Sequence, residues 1–300
     1  MLRVRVGIPH YFREEAVGPN SGYGSGRTGN QLARSIAFAR SLGSFLSLNR
    51  SMHDWILNIS QREMELSPPT CLDGLQDVCV EVHIFVCGDS FIQDVVELYS
   101  SRIHVHHVEL EKPVDLPLAV VRYLLDAADP ADLTLYSEDD LVIQDALYLE
   151  KLVWFHKLTN QQYILMPHRR EPTVARAPQN LYVDGPINFR GASTPLHSNS
   201  EPVVFCERFN SGADIQFVEA SNPHSGMFCL TEMQLKQIRD AQWPPTTFVS
   251  PLETAATGVV LPHFPILKTS WSSRKFFEIE HGNPSFLGYL GAMPEKYDNK

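Results

Sequence analysis

From Arg3 to Ile8 polar and apolar residues alternate, and the run ends at Pro9-His10-Tyr11-Phe12, the pattern of a strand entering a loop. Gly18 to Asn30 holds five glycines and reads as a flexible loop, after which Gln31 to Arg40 has helical character. Residues 49 to 79 suggest a short helix and contain the breaker Pro68-Pro69. The rhythm then becomes regular: strand Val82 to Cys87 ending in Gly88-Asp89, helix Phe91 to Tyr99, strand Ile103 to Val108, helix Leu116 to Ala128, strand Leu133 to Tyr136. Strands alternating with helices of this length predict crossover units and a mostly parallel sheet covered on both faces, so the fold class is α/β.

After a carboxylate-rich step, Leu149, Leu152, Val153 and His156 follow helical spacing between Asp145 and Leu158, and Tyr163 to Met166 reads as a strand. Residues 170 to 222 hold several prolines, Asn/Gly/Ser clusters and the short apolar runs 181–183, 203–205 and 215–218, which predict hairpins and long loops. Gly226 to Leu230 returns to a strand. Thr231 with Gln234 forms a capping-box pattern at the head of a helix running to about Ala241, and Pro251 to Val260 predicts another helix.

The chain has 300 residues, 43% of them hydrophobic and 20% charged, enough for one large α/β domain, and neither repeats nor a linker divide it. Its net charge of -10 leaves no basic surplus to neutralise phosphates, which argues against general nucleic-acid binding. No apolar run approaches the roughly 18 residues of a membrane span, and the N-terminus lacks a signal-peptide pattern. Five cysteines without a CxxC pair suggest buried thiols in a reducing compartment. The expectation is a soluble, cytoplasmic protein.

Candidate chemistry concentrates where the strand Leu133 to Tyr136 ends, at Glu138-Asp139-Asp140. Three adjacent carboxylates between apolar runs repel one another unless a cation is present, so the segment calls for a divalent metal or a positively charged ligand; otherwise it is a solvated acidic turn. Oxygen-only ligands favour Mg²⁺ or Mn²⁺, which bridge carboxylates to substrate phosphates. In parallel α/β sheets ligands bind outside the carboxyl ends of the strands, where this cluster falls.

Tyr136-Ser137-Glu138-Asp139-Asp140-Leu141-Val142 resembles the DxD motif of GT-A-fold glycosyltransferases, reached in that family, as here, on the fourth strand of a β-α series. The resemblance implies a GT-A-like (Rossmann-like) fold in a single domain, 1–143 forming the nucleotide-sugar half and 144–300 the acceptor half with an insertion around 170–222. It also implies transfer of a sugar from a nucleotide diphosphate-sugar to a hydroxyl acceptor (a glycan, a lipid-linked molecule or a small molecule), with Mn²⁺ or Mg²⁺. By the same resemblance Asp140 and a late histidine, His281 or its competitor His263, hold the metal. Glu138 lies on the sugar side and Asp139 nearby, Pro9, His10 and Tyr11 face the nucleotide base, and Asp89 contacts the base.

Glu253, in Ser250-Pro251-Leu252-Glu253-Thr254, resembles the catalytic base of inverting members; an acid at a helix N-terminus is also favoured by the dipole. Asp89 equally reads as a helix cap with Ser90. Arg27 and Arg34 are either diphosphate partners or solvated charges, and Arg274 and Lys275 either neutralise the leaving diphosphate or form a surface pair. Gly226 would permit close approach at the sugar pocket. The alternatives to a transferase are a sugar nucleotidyltransferase and a non-catalytic glycan- or partner-binding protein on the same fold.

Overall fold

The computed structural model describes residues 1–14, 28–70, 76–173, 179–186, 202–241 and 247–294. In chain order the elements are β1 (Leu2–Pro9), α1 (Gln31–Leu46), β2 (Trp55–Asn58), β3 (Glu63–Leu66), β4 (Val78–Cys87), α2 (Gln93–Tyr99), β5 (His104–Val108), α3 (Leu116–Asp126) and β6 (Leu133–Ser137). There follow β7 (Leu141–Val142), α4 (Tyr148–Leu158), β8 (Ile164–Leu165), β9 (His168–Pro172), β10 (Asn180–Tyr182), β11 (Val203–Arg208), β12 (Asp214–Glu219), β13 (Met227–Thr231), α5 (Glu232–Asp240), β14 (Ile266–Thr269) and β15 (Glu278–His281).

The central sheet has five strands in the order β13-β6-β1-β4-β5; four are parallel and β13 is antiparallel to β6. This is the mostly parallel α/β sheet that the alternating pattern predicts. Nearly every residue of β1 and β4 is buried, because helices cover both faces. Phe38, Leu42 and Phe45 of α1 pack on one face with Val4, Val6 and Ile84. Val120, Val121 and Leu124 of α3 join the second layer with Tyr136 and Phe228. The helix lies so close to β1 that a Cβ on Gly7 would come within 2.7 Å of Val120 Cγ1.

Strand order fixes where a ligand can sit. The chain builds outward from β1 through β4 to β5, then returns to place β6 on the other side of β1. This reversal falls at the carboxyl ends of β1 and β6, the usual ligand position in such sheets. Two further sheets, β10-β9-β15-β7 and β11-β12-β14-β8, complete the second half. The hairpins expected within 170–222 are present in the described residues as β9–β10 and β11–β12.

Two expectations fail. Residues 49 to 79 hold no helix among their described residues but a hairpin, β2 with β3; cross-strand pairs Trp55–Leu66 and Leu57–Met64 put four large apolar side chains on one exposed face. Pro251 to Val260 is not one helix but a short turn of helix, Pro251–Glu253, followed by a π-helical turn, Thr254–Gly258, in which every residue is buried. The capping box at Thr231 forms as its sequence predicts.

Candidate functional site

Glu138, Asp139 and Asp140 occupy the step between β6 and β7, where the chain leaves the central sheet for the second one. Pairing holds the step in place: the Glu138 amide donates to Gly226 O at 2.9 Å, and the Gly282 amide donates to Asp140 O at 2.7 Å. All three side chains are buried, so a solvated acidic turn is excluded. Their like charges are answered by the protein's own cations.

Arg34 is the principal one. Its Nη2 donates to both oxygens of Asp139, at 2.6 and 2.7 Å, and its Nη1 donates to Asp140 Oδ2 at 3.0 Å. A guanidinium suits this role because its planar fork keeps its charge and bridges neighbouring carboxylates. Arg34 reaches the step because it stands four residues before Phe38 on the buried face of α1, at only 5% exposure. Burial opposes its charge, but Asp139 and Asp140 outweigh burial and hold its pKa above the ordinary value.

His10, at the end of β1, completes the shell of Asp139. The Ile92 amide donates to His10 Nε2 at 3.1 Å, which leaves the ring proton on Nδ1 to donate to Asp139 Oδ2 at 2.6 Å. The ring stacks on Phe38 with centroids 3.8 Å apart. Burial would raise the pKa of Asp139, yet Arg34 and then His10 bring it below the usual carboxylate value.

The second sheet delivers the next layer. Because β15 pairs antiparallel with β7, His281 lies opposite Leu141 and its Nε2 comes 3.5 Å from Asp140 Oδ2. On β9, parallel to β15, strand periodicity puts Arg169 and Glu171 on one face. Glu171 accepts from His281 Nδ1 at 2.7 Å and from the amides of Ser285 and Phe286. Burial disfavours the imidazolium, but Asp140 and Glu171 raise the pKa of His281 to about 9. Asp140 is correspondingly held below its usual range despite burial, by His281 and then Arg34.

Glu138 differs from its two neighbours. Arg169 Nη1 is 3.4 Å from Glu138 Oε2, but Arg169 spends its better hydrogen bonds on Asp184, at 2.8 and 3.0 Å. His224 Nε2 lies 3.8 Å from Glu138 Oε1, and its Nδ1 is 3.0 Å from Thr257 Oγ1. Burial therefore dominates and raises the pKa of Glu138 to about 7, Arg169 opposing and Asp140 and Glu253 adding to the rise. Lys268 Nζ, 2.7 Å from His224 O and 3.5 Å from Asp184 Oδ2, closes the network. Gly226, at φ +68°, has to be glycine: a Cβ there would stand 2.7 Å from Glu138 Oε2.

Among the other sequence candidates, Glu253 accepts from Ser250 Oγ, and its charge reaches Glu138. Pro9 is buried; Tyr11 is half-buried and packs against the second apolar layer. Asp89 is exposed beyond the end of β4, and the N-cap of α2 is Ile92, so neither Asp89 nor Ser90 caps that helix. His263 is half-buried, and of the two late histidines it is His281 whose ring comes 3.5 Å from Asp140 Oδ2. Arg274 donates to Trp271 O and lies over the Tyr182 ring; Lys275 is exposed. Arg27 lies outside the described residues.

The divalent ion expected from the sequence can be tested against this arrangement. Both oxygens of Asp139 and Oδ2 of Asp140 already face guanidinium or imidazole nitrogens, and among the described residues no group of three or more His, Cys, Asp or Glu could hold a metal. As arranged, the residues do not fit a resident Mn²⁺ or Mg²⁺.

Nothing in the sequence singles out Arg169, Asp184, Glu171, His224 and Lys268, and Arg34, which the sequence offers as a diphosphate partner or a solvated charge, is the buried partner of Asp139 and Asp140. For Arg34 a signal existed, since it shares a helical stripe with Phe38 and Leu42. The other five meet only through strand pairing across long separations.

No protein-family model matches the chain, nor does the sequence of any curated protein. Solved structures with a similar fold include S. aureus TarS 1-349 in complex with UDP-GlcNAc, at 13% identity and a TM-score of 0.43, covering 95% of this chain and 62% of that one. The same protein in complex with UDP gives 12% identity and a TM-score of 0.45 over 93% of this chain and 60% of that one. A third is 4-diphosphocytidyl-2C-methyl-D-erythritol synthase, at 10% identity and a TM-score of 0.36, covering 89% of this chain and 88% of that one. The chain thus spans about three-fifths of the length of the TarS 1-349 structures it resembles. At these values the likeness assigns no activity to this chain, and its side chains have to carry the argument.

Proposed function

We propose that the carboxyl ends of β1 and β6, where the strand order reverses, bind a nucleotide diphosphate-sugar and that the chain transfers the sugar to a hydroxyl acceptor. The observation that supports this reading most is the convergence, at the reversal point of the sheet, of Glu138-Asp139-Asp140 with Arg34, Arg169 and the nearby carboxylate of Glu253. In the reaction the acceptor oxygen attacks the anomeric carbon, the bond from that carbon to the diphosphate breaks, and the hydroxyl proton passes to a carboxylate. Glu253 is assigned as that base, giving inversion. Arg169 and Arg34 supply positive charge beside the leaving diphosphate.

Calorimetric and thermal-shift titration with UDP-, GDP- and CDP-sugars tests the donor half. One of them should stabilise the fold, by about 2.7 kcal/mol at a hundredfold excess over its Kd. Glu253→Gln should retain that shift while losing transfer by about 10²-fold or more. Binding of none of the three would end the transferase reading. Release of pyrophosphate from a nucleoside triphosphate and a sugar phosphate would replace it with nucleotidyl transfer.

A further inference from the structure

We infer that Arg34 fills the cation position of the Asp139–Asp140 pair, so that a nucleoside diphosphate binds this chain without a divalent metal, and removal of the guanidinium opens a latent metal site. The nucleotide clause rests on the function proposed above; the metal clause stands on the geometry alone.

Five contacts carry the inference. Arg34 bonds Asp139 twice and Asp140 once, and His10 and His281 face the same two carboxylates from β1 and β15. A Mg²⁺ ion needs oxygens at about 2.0–2.1 Å in near-octahedral array, and three of the four carboxylate oxygens of Asp139 and Asp140 already face nitrogen. To enter, it would have to expel Arg34 from a position 5% exposed to solvent. An ion that entered without expelling it would sit beside a fixed positive charge, which in a buried setting is strongly unfavourable. The carboxylates themselves are a competent pair, adjacent in sequence and held by backbone hydrogen bonds at Gly226 and Gly282. His10 faces one of them and His281 the other, whereas Arg34, delivered by α1, bonds both. Replacement of Arg34 by a neutral residue takes away the cation that bonds both carboxylates and leaves His281 beside Asp140 alone, a charge deficit that a divalent ion can fill.

The test pairs two measurements on the full chain. In the first, Mn²⁺ is titrated and the free-ion signal followed by electron paramagnetic resonance, with no nucleotide present. Wild-type protein should leave the signal undiminished, Arg34→Gln should take up one Mn²⁺ per chain, and Arg34→Gln with Asp140→Asn should lose that uptake. Uptake by the wild type that Asp140→Asn abolishes would overturn the inference, as would a folded Arg34→Gln that takes up none. Should Arg34→Gln not fold, the wild-type titration decides.

In the second measurement UDP, GDP and CDP are titrated in EDTA and in Mn²⁺. The affinity of whichever binds should differ by less than about twofold between the two conditions, and a gain of more than about tenfold in Mn²⁺ would overturn the inference. If none binds in either condition, the donor reading is what fails, and the Mn²⁺ titration still decides the role of Arg34.

Discussion

The central sheet buries ionisable side chains at two places, the carboxylates that follow β6 and His83 on β4, and answers their burial in opposite ways. At the carboxyl ends of β1 and β6, Asp139 and Asp140 stay charged because Arg34, His10 and His281 lie within hydrogen-bond or ion-pair distance. On β4 and β5, His83 is faced by neighbours that offer no negative charge: its Nδ1 is 2.9 Å from His106 Nε2, its ring stacks on His104, and Tyr123 OH lies 3.1 Å away. Burial, then His104 and His106, push its pKa down to about 3, so it stays neutral. Burial is the first force on both clusters. The difference lies in whether another element brings an opposite charge to face the group. Glu138 stands between the two, with its cation at 3.4 Å and committed to Asp184, and its pKa rises to about 7.

Removing the cation should break the comparison most sharply. Arg34→Ala leaves two buried carboxylates without their main partner and should cost about 3–5 kcal/mol of unfolding free energy, measured by urea denaturation. A loss below about 1 kcal/mol, the range of surface pairs, would mean that the network is solvated.

Gly226→Ala attacks the same network through space rather than charge. Its Cβ would press on Glu138 Oε2 at a positive φ, with an expected cost of about 1–3 kcal/mol by the same assay. An unchanged denaturation midpoint would show that Glu138 is free to swing away.

The histidine cluster is tested by pH. Between the ordinary 6.5 and about 3, the unfolded chain binds a proton at His83 that the folded chain does not, so this group lowers stability as pH falls through that window. His83→Phe removes the liability. The stability lost between pH 7 and pH 5 should shrink by roughly 1–2 kcal/mol in the variant. An equal pH dependence in the two proteins would place the charge elsewhere.

The smallest effect is expected at the surface. Arg3 lies 2.5 Å from Asp129, as close a pair as any in the buried network, but Asp129 is 63% exposed. Arg3→Ala should leave the Tm unchanged within error, and a clear drop would show that contact distance matters more than burial.

Much of the fold was legible in the sequence because periodicity reports burial. The strands β1, β4, β5 and β6, the helices between them and the capping box at Thr231 appear where apolar spacing put them, with ends shifted by a few residues. The hairpin β2–β3 was missed because its apolar face is left exposed, so its pattern does not report a core. The segment from Pro251 was misread as one helix because a π-helical turn has no distinct sequence period.

The site was legible in part. Glu138-Asp139-Asp140 stands out in any reading, since three adjacent carboxylates at a strand end demand compensation. The nature of that compensation was hidden. Arg34 lies more than 100 residues away, and Arg169, Asp184 and His281 come from elements that meet only once β9, β10, β15 and β7 have paired.

By itself, then, the sequence determined an α/β chain whose fourth sheet strand ends in a cation-seeking cluster, because hydrophobic period and like-charge repulsion are local properties. The tertiary structure decided that the cation facing the cluster is a guanidinium, and which carboxylate stays partly protonated. Those outcomes depend on distances of a few ångströms between residues remote in the chain, and only the packing of the three sheets sets them.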